Sequence, residues 1–234
     1  MKKLILIFTM IFTAGVSAFA AKIKIESSDN DSSIQIKVRR GAKLIQSIEY
    51  EYPSECFEYA EPFEKKIEME DLNFDGYDDI KIYLGSYGNQ GVEYWQFFLW
   101  DSKKLQFIKD ESFGQSVFDF IPNAKVNSKE KCITGFSRAS AAYHHYFIYE
   151  FQDGSFHLVR HLHELASCDI YKVYGLNVPD GEDCGEYALK HFGFSSEDYD
   201  KTFYIEEKFE NKKHIIENPA LIPPVQFKTA FGWE

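Results

Sequence analysis

The sequence predicts an all-β fold, built mainly from antiparallel sheets in a sandwich or a propeller-like meander, with a few short helices. Runs that alternate apolar and polar residues recur along the chain, as at Ser33–Arg39 and Asp79–Leu84. This period of two is typical of strands with one buried face. The chain also contains 22 Phe and 15 Tyr, and aromatic side chains pack well on a pleated surface.

Turn-forming residues divide these runs into separate strands. Asp29–Asp31 separates the first two, Asp101–Lys103 follows a run at Val92–Trp100 that is apolar on both faces, and Gln152–Gly154 predicts a hairpin. In chain order, the predicted strands are Ala21–Glu26, Ser33–Arg39, Lys43–Tyr52, Lys65–Leu72, Asp79–Leu84, Val92–Trp100, Leu105–Ile108, Cys132–Phe136, Tyr143–Phe151 and Ser155–Leu162, and the predicted helices are Phe113–Phe120 and Gly185–Phe192.

The N-terminus has the three parts of a secretory signal peptide. Two lysines come first, Leu4–Phe12 is almost wholly apolar, and Ala18–Ala20 fits the cleavage pattern of two small residues. The apolar part is too short for a permanent membrane span. We therefore expect cleavage before Ala21, removal of residues 1–20, and a periplasmic or secreted protein. The alternative is a buried N-terminal strand or helix.

The charge excludes one class of partner. The chain has 37 acidic against 26 basic residues, a formal net charge of −11. A nucleic-acid-binding surface needs a clustered excess of Lys and Arg to neutralise phosphates. We therefore expect no nucleic-acid partner.

The cysteines predict disulfides. Cys56, Cys132, Cys168 and Cys184 are an even set, and an exported protein meets an oxidising compartment. Three pairings are possible, and we favour Cys168–Cys184 with Cys56–Cys132 because the first closes a short polar loop. A zinc site of four thiolates is the competing interpretation, but it requires close pairs such as C-x₂-C, and the sequence contains none.

The segment Asp71–Asp79 reads D-x-N-x-D-G-x-x-D and predicts a Ca²⁺ site. Calcium takes six to eight oxygen ligands from a flexible loop. Alternate side chains supply several of them, a glycine permits the bend, and a backbone carbonyl adds another. The predicted ligands are Asp71, Asn73, Asp75, the carbonyl of Tyr77, and Asp79. Position twelve is Ile82 where an EF-hand has Glu, so this is a strand-loop-strand site. The same residue types also form ordinary acidic turns that bind nothing.

This loop sets the expected domain organisation. N-terminal strands occupy residues 21–62, and the calcium-loop β-domain occupies residues 63–165. Residues 166–234 form a C-terminal extension that bears disulfide cysteines. Within it, Glu197–Glu210 is rich in acids and aromatics, and Asn218–Pro224 is irregular.

The calcium loop and the segment G-S-Y-G-N-Q-G-V-E-Y-W that begins at Gly85 together resemble a family of bacterial periplasmic proteins with one such loop. The loop also resembles the FG-GAP calcium loops of propeller blades. The family includes an immunity protein against a lysozyme-like effector of a type IV secretion system. Its fold is similar to that of periplasmic inhibitors of invertebrate-type lysozyme. The resemblance runs from about Phe63 to His163, under half of the mature chain.

The resemblance implies a protein partner, a lysozyme-like muramidase, and a partner-binding loop. Such inhibitors insert a loop that often reads S-G-x-x-Y into the cleft of the enzyme. Here the matching stretch, Ala139–Tyr143, lacks the glycine and shifts the serine by one position. The predicted contact residues are Ser137, Arg138, Ser140 and Tyr143. A calcium-stabilised envelope protein without inhibitory function is a further alternative.

Histidines support a different alternative, a metal-dependent hydrolase of envelope material. His157, His161 and His163 lie on one predicted strand, and His144 and His145 lie on the strand before it. Odd positions share a strand face, so His161 and His163 could bind one ion together with a ligand from the neighbouring strand. No H-E-x-x-H, G-x-S-x-G or phosphate-binding motif is present, so we predict no catalytic residues and expect a binding protein.

Overall fold

The computed structural model describes residues 8–11, 23–29, 33–53, 67–87, 91–114, 116, 119–210 and 213–233 of the 234-residue chain. It divides into two compact units, Met1–Phe120 and Ile121–Glu234. Most described residues lie in antiparallel strands, with three short α-helices among them. The predicted all-β fold class is therefore confirmed.

The first unit contains two four-stranded antiparallel sheets whose strands follow chain order. The strands of one sheet are β1 (Phe8–Ile11), β2 (Ile23–Asp29), β3 (Ser33–Arg40) and β4 (Lys43–Glu51). Those of the other are β5 (Ile67–Glu70), β6 (Asp79–Tyr87), β7 (Val92–Asp101) and β8 (Gln106–Lys109).

Alternation of residues builds the core between these two sheets. Ile34, Ile36 and Val38 of β3 are buried, as are Ile80 and Ile82 of β6, and all belong to one hydrophobic cluster. Since side chains of a strand alternate between its faces, every second residue meets the opposite sheet. Strands β6 and β7 are each buried on both faces over much of their length.

Two glutamines lie within this apolar environment and join the sheets by hydrogen bonds. The Gln46 side chain of β4 donates to the Phe107 carbonyl of β8 at 2.8 Å and accepts from the Phe107 amide at 2.7 Å. Gln96 of β7 donates to the carbonyls of Phe97 and Asp110, and its oxygen accepts from the Tyr50 hydroxyl at 3.4 Å. The amide of Gln96 is buried and that of Gln46 is half-buried, and these hydrogen bonds leave the polar atoms of both satisfied.

The second unit is built on a six-stranded antiparallel sheet in the order β14-β13-β12-β11-β10-β9. Its strands are β9 (Lys125–Asn127), β10 (Cys132–Arg138), β11 (His144–Gln152), β12 (Ser155–Ala166), β13 (Thr202–Glu210) and β14 (Lys213–Ile216). The hairpin predicted at Gln152–Gly154 joins β11 to β12, and Asp153 there has a positive φ of 51°.

Helices cover both faces of this sheet. The helices are α1 (Ser167–Tyr174), α2 (Cys184–Phe192) and α3 (Val225–Phe231). The first two pack with Leu165 and Phe203 on one face, and α3 packs with Leu162 on the other through Phe227. The Asp183 carboxylate caps α2 by accepting from the amides of Gly185 and Glu186, which satisfies donors that a helix start leaves free.

The C-terminal residues are integral to this unit. Strand β13 pairs with β12 from Arg160↔Lys208 to Ala166↔Thr202, and β14 extends the sheet beyond it. The segment 63–165, expected to form one domain, supplies strands to both units. The helix predicted at Gly185–Phe192 is present as α2, whereas three residues of the one predicted at Phe113–Phe120 lie outside the described residues.

Within the predicted signal peptide, only β1 is described, and it pairs antiparallel with β2. Residues 1–7 and 12–22, with the expected cleavage point, lie outside the described residues. Cleavage at that point would remove β1 and leave β2 as an edge strand. Among the helices that are described, none has the length and apolar character needed to cross a bilayer.

Replacing Phe203 with alanine tests the position of β13. Phe203 is fully buried between the sheet and α2, so Phe203→Ala should lower the free energy of unfolding by about 3–5 kcal/mol. Urea denaturation measures the loss. The control is Ile215→Ala in β14, where the side chain is 41% exposed and the expected loss is at most about 1 kcal/mol. Equal losses would contradict an integral β13.

Candidate functional site

The predicted calcium loop connects β5 to β6 and is anchored by Asp79. This carboxylate is fully buried. It accepts hydrogen bonds from the Leu72 amide at 2.9 Å and from the Trp100 amide of β7 at 2.7 Å. One side chain therefore closes the base of the loop and fixes it to the neighbouring strand.

The other acidic side chains turn inward onto the amides of the loop. Asp71 accepts from the amides of Asp75 and Gly76 at 3.1 and 3.0 Å, one at each carboxylate oxygen. Asn73 accepts from the Asp75 amide at 3.1 Å, and Asp75 accepts from the Tyr77 amide at 3.0 Å. Gly76 has a positive φ of 89°, which glycine adopts without strain.

Charge in the loop is dense and partly buried. Burial raises the pKa of Asp79 to about 7, and the nearby carboxylates of Asp75 and Asp71 add to the effect although the two amide hydrogen bonds oppose it. Burial and Asp71 likewise raise the pKa of Asp78. A bound cation would favour the ionised form of each group. Of the five predicted ligand residues, Asp71, Asn73 and Asp75 thus direct oxygens toward the amides of one short loop. Both oxygens of Asp79 are engaged by the amides of Leu72 and Trp100, and the side chain of Tyr77 is exposed.

The predicted partner-binding loop is the connection between β10 and β11. Its tip is exposed at residues 138–142. The amides of Ala139 and Ser140 both donate to the Tyr143 carbonyl, at 2.9 and 3.2 Å, which closes the loop into a tight turn. Arg138 and Ser140 face solvent, and Ser137 is half-buried. Tyr143, by contrast, packs among the apolar side chains beside α1.

The Tyr143 hydroxyl contacts one of three clustered histidines, His145, His161 and His163. It lies 2.7 Å from Nδ1 of His163, and its ring stacks on His145 with centroids 4.5 Å apart. His145 of β11 is the cross-strand partner of His163 of β12. His145 Nδ1 lies 2.8 Å from His161 Nε2. One ring nitrogen from each histidine lies within 4.8 Å of the other two.

Burial keeps these imidazoles neutral. It lowers the pKa of His145 to about 4 and that of His161 further, and mutual repulsion with neighbouring histidines adds to both shifts. Burial also lowers the pKa of His163, although the carboxylate of Glu207 opposes this. At neutral pH the cluster therefore offers imidazole lone pairs rather than positive charge.

Glu207 of β13 organises the cluster from the other side. Its carboxylate oxygens lie 3.0 Å from His163 Nε2, 3.6 Å from His161 Nδ1 and 3.1 Å from His214 Nε2. An ionised carboxylate only accepts hydrogen bonds, so His163 carries its proton on Nε2 and accepts from Tyr143 on Nδ1. Burial and nearby acids raise the pKa of Tyr143 to about 12, which keeps that hydroxyl protonated as a donor.

The remaining histidines named from the sequence lie apart from this cluster. His144 is on the opposite face of β11, where Nδ1 lies 3.3 Å from a Glu164 oxygen. His157 is exposed and pairs across the strands with Glu150. Glu207 is not among the residues predicted from the sequence, because residues 166–234 were expected to form an extension rather than part of the sheet. The alternation of β13, with Phe203, Ile205 and Glu207 on one face, was the available signal.

The three cysteines among the described residues are free thiols in this structure. The thiol of Cys184 nevertheless lies 3.5 Å from the Cys168 carbonyl oxygen, since each residue stands in the first turn of its helix. Cys132 is buried in β10, and Cys56 lies outside the described residues. The two disulfides stay predictions.

Removing the Asp79 side chain should destabilise the protein even without metal. Asp79→Ala leaves the amides of Leu72 and Trp100 without their acceptor, and unsatisfied buried groups cost about 1–3 kcal/mol each. We expect a loss of about 2–4 kcal/mol in urea denaturation with EDTA. Asp75→Ala is the control, because Asp75 is exposed and its removal should have little effect in EDTA. Equal losses would contradict the anchoring role of Asp79.

Comparisons with known proteins give a likeness of fold. No model of a protein family matches the chain, and no curated protein matches it in sequence. Among solved structures, a Xanthomonas type IV secretion system related protein is similar, with a TM-score of 0.50 and 14% sequence identity. The match covers 91% of this chain and 99% of that chain. Both units of the present chain thus have counterparts in a single solved fold.

Proposed function

We propose that this chain is a calcium-binding protein of the bacterial cell envelope that acts by binding a protein partner in type IV secretion. The observation that carries the proposal is the likeness, over nearly the whole of both chains, to a type IV secretion system related protein of Xanthomonas. The signal-peptide pattern of residues 1–20 supports export to the periplasm or beyond.

Calcium binding is supported by the acidic loop between β5 and β6. Several oxygens lie along a few residues on a strand-loop-strand frame, and hard cations prefer such ligands. The proposed ligands are Asp71, Asn73, Asp75, Tyr77 and Asp79. The ion would offset the repulsion by which neighbouring carboxylates help to raise the pKa of Asp78 and of Asp79. Its proposed role is to stabilise the first unit.

Isothermal titration with Ca²⁺ tests this part of the proposal. The wild type should bind one ion with a dissociation constant of about 10⁻⁶–10⁻³ M. Asp75→Ala should weaken binding by at least about tenfold, because it removes a charged ligand from an exposed position where the fold does not depend on it. Asp153→Ala, in the hairpin turn between β11 and β12, is the matched control. Unchanged affinity in Asp75→Ala would contradict the site.

The proposed partner is a lysozyme-like muramidase, and the proposed contact surface is the β10–β11 loop. Arg138 and Ser140 are exposed at its tip beside small residues, and an exposed Arg is a common interface anchor. Ser137 and Tyr143 support the loop from below, the latter through its hydrogen bond to His163. The net charge of −11 would steer the protein towards a cationic enzyme.

A cell-wall lysis assay with a panel of muramidases tests the partner. We expect the wild type to inhibit at least one enzyme in calcium, and Arg138→Ala to weaken that inhibition by about tenfold or more. Lys129→Ala is the control, because Lys129 is a highly exposed cation on the β9–β10 turn. Absence of inhibition across the panel, in calcium and in EDTA, would refute the muramidase partner.

A further inference from the structure

We propose that His145, His161 and His163 form a binding site for a divalent transition-metal ion of the zinc class. One ring nitrogen from each residue lies within 4.8 Å of the other two. The ligands of a tetrahedral zinc ion are about 3.4 Å apart, given Zn–N distances near 2.0–2.1 Å. Small rotations of the three rings would therefore bring them to coordinating distance.

The sheet prepares this geometry without distortion. His145 and His163 are directly paired across β11 and β12, and His161 stands two residues from His163 on the same face. Side chains on paired strands approach to about 5 Å at their Cβ atoms, which is the spacing that lets two imidazoles share an ion. The backbone of two hydrogen-bonded strands holds all three rings.

The chemistry of the donors selects the class of ion. Neutral imidazole suits Zn²⁺, Cu²⁺ and Ni²⁺, whereas Ca²⁺ and Mg²⁺ prefer oxygen. Metal-binding histidines usually donate their second N–H to a carboxylate that fixes the ring. Glu207 occupies that outer position, 3.0 Å from His163 Nε2 and 3.6 Å from His161 Nδ1. With their N–H groups turned to Glu207, both residues have a lone pair on the other ring nitrogen. In this structure those nitrogens contact the Tyr143 hydroxyl and His145 Nδ1, and a bound ion would replace these contacts.

Aromatic packing alone is the competing explanation of this cluster. Tyr143 stacks on His145, and Phe147 stacks on His161 with centroids 4.5 Å apart. Stacking accounts for the arrangement of the rings, but it does not require the Glu207 carboxylate beside His163 and His161. A bound ion would join β11 to β12 through His145 and His163, immediately below the β10–β11 loop.

Titration of the full chain with Zn²⁺, in excess Ca²⁺, tests the proposal. The wild type should bind one zinc ion. His161→Ala should reduce the affinity by more than the 10–100-fold that loss of an outer-sphere partner typically causes. His157→Ala is the matched control, since His157 is an exposed histidine of the same strand outside the cluster, and it should bind as the wild type does.

Two further measurements keep the test decisive. Glu207→Gln retains all three ligands and should weaken zinc binding by about 10–100-fold, which covers the case in which His161→Ala does not fold. X-ray absorption of the zinc complex should show nitrogen at about 2.0–2.1 Å and no sulfur near 2.3 Å, which excludes the thiols of Cys132, Cys168 and Cys184. Absence of zinc binding, undiminished binding in His161→Ala and Glu207→Gln, or a sulfur shell would overturn the proposal.

Discussion

The acidic loop depends on one buried carboxylate. Asp79 accepts from an amide at the start of the loop and from an amide of the adjacent strand β7. The loop can therefore not shift without exposing two buried donors. Its remaining side chains are consequently held inward before any ion arrives, which lowers the ordering that binding must impose. Asp79 thus both fixes the loop and belongs to its group of acidic side chains.

The histidine cluster arises in the opposite way, from contacts between distant parts of the sequence. Glu207 is 44 residues from His163, and only the pairing of β13 with β12 brings the two together. The cluster is therefore a product of the completed six-stranded sheet, whereas the polar side chains of the acidic loop come from nine consecutive residues. Within the described part of the chain, each unit carries a candidate metal site, and the two sites differ in donor chemistry as well as in origin.

This difference explains how much the sequence could predict. Local patterns were sufficient for the strands around Ile80 and Ile82 and for the acidic loop, because alternation and spacing are read along the chain. They were insufficient for β13, whose acids and aromatics gave no indication of which strand it would join. Glu207 could not be identified as a partner of His163 for that reason. The half-buried position of Tyr143 could not be predicted either, because it packs beside α1, which also comes from the C-terminal part.

The two inward-facing glutamines of the first unit bear on the specificity of the fold rather than on its stability. Gln46 stands in the same row as Ile48 and Tyr50, where an apolar residue would bury more area. A slip of β4 by one residue would turn Gln46 to solvent and leave the Phe107 backbone groups without partners. Gln96 imposes the same condition on β7. The amides thus distinguish the correct strand register from neighbouring ones that hydrophobic contacts alone would tolerate.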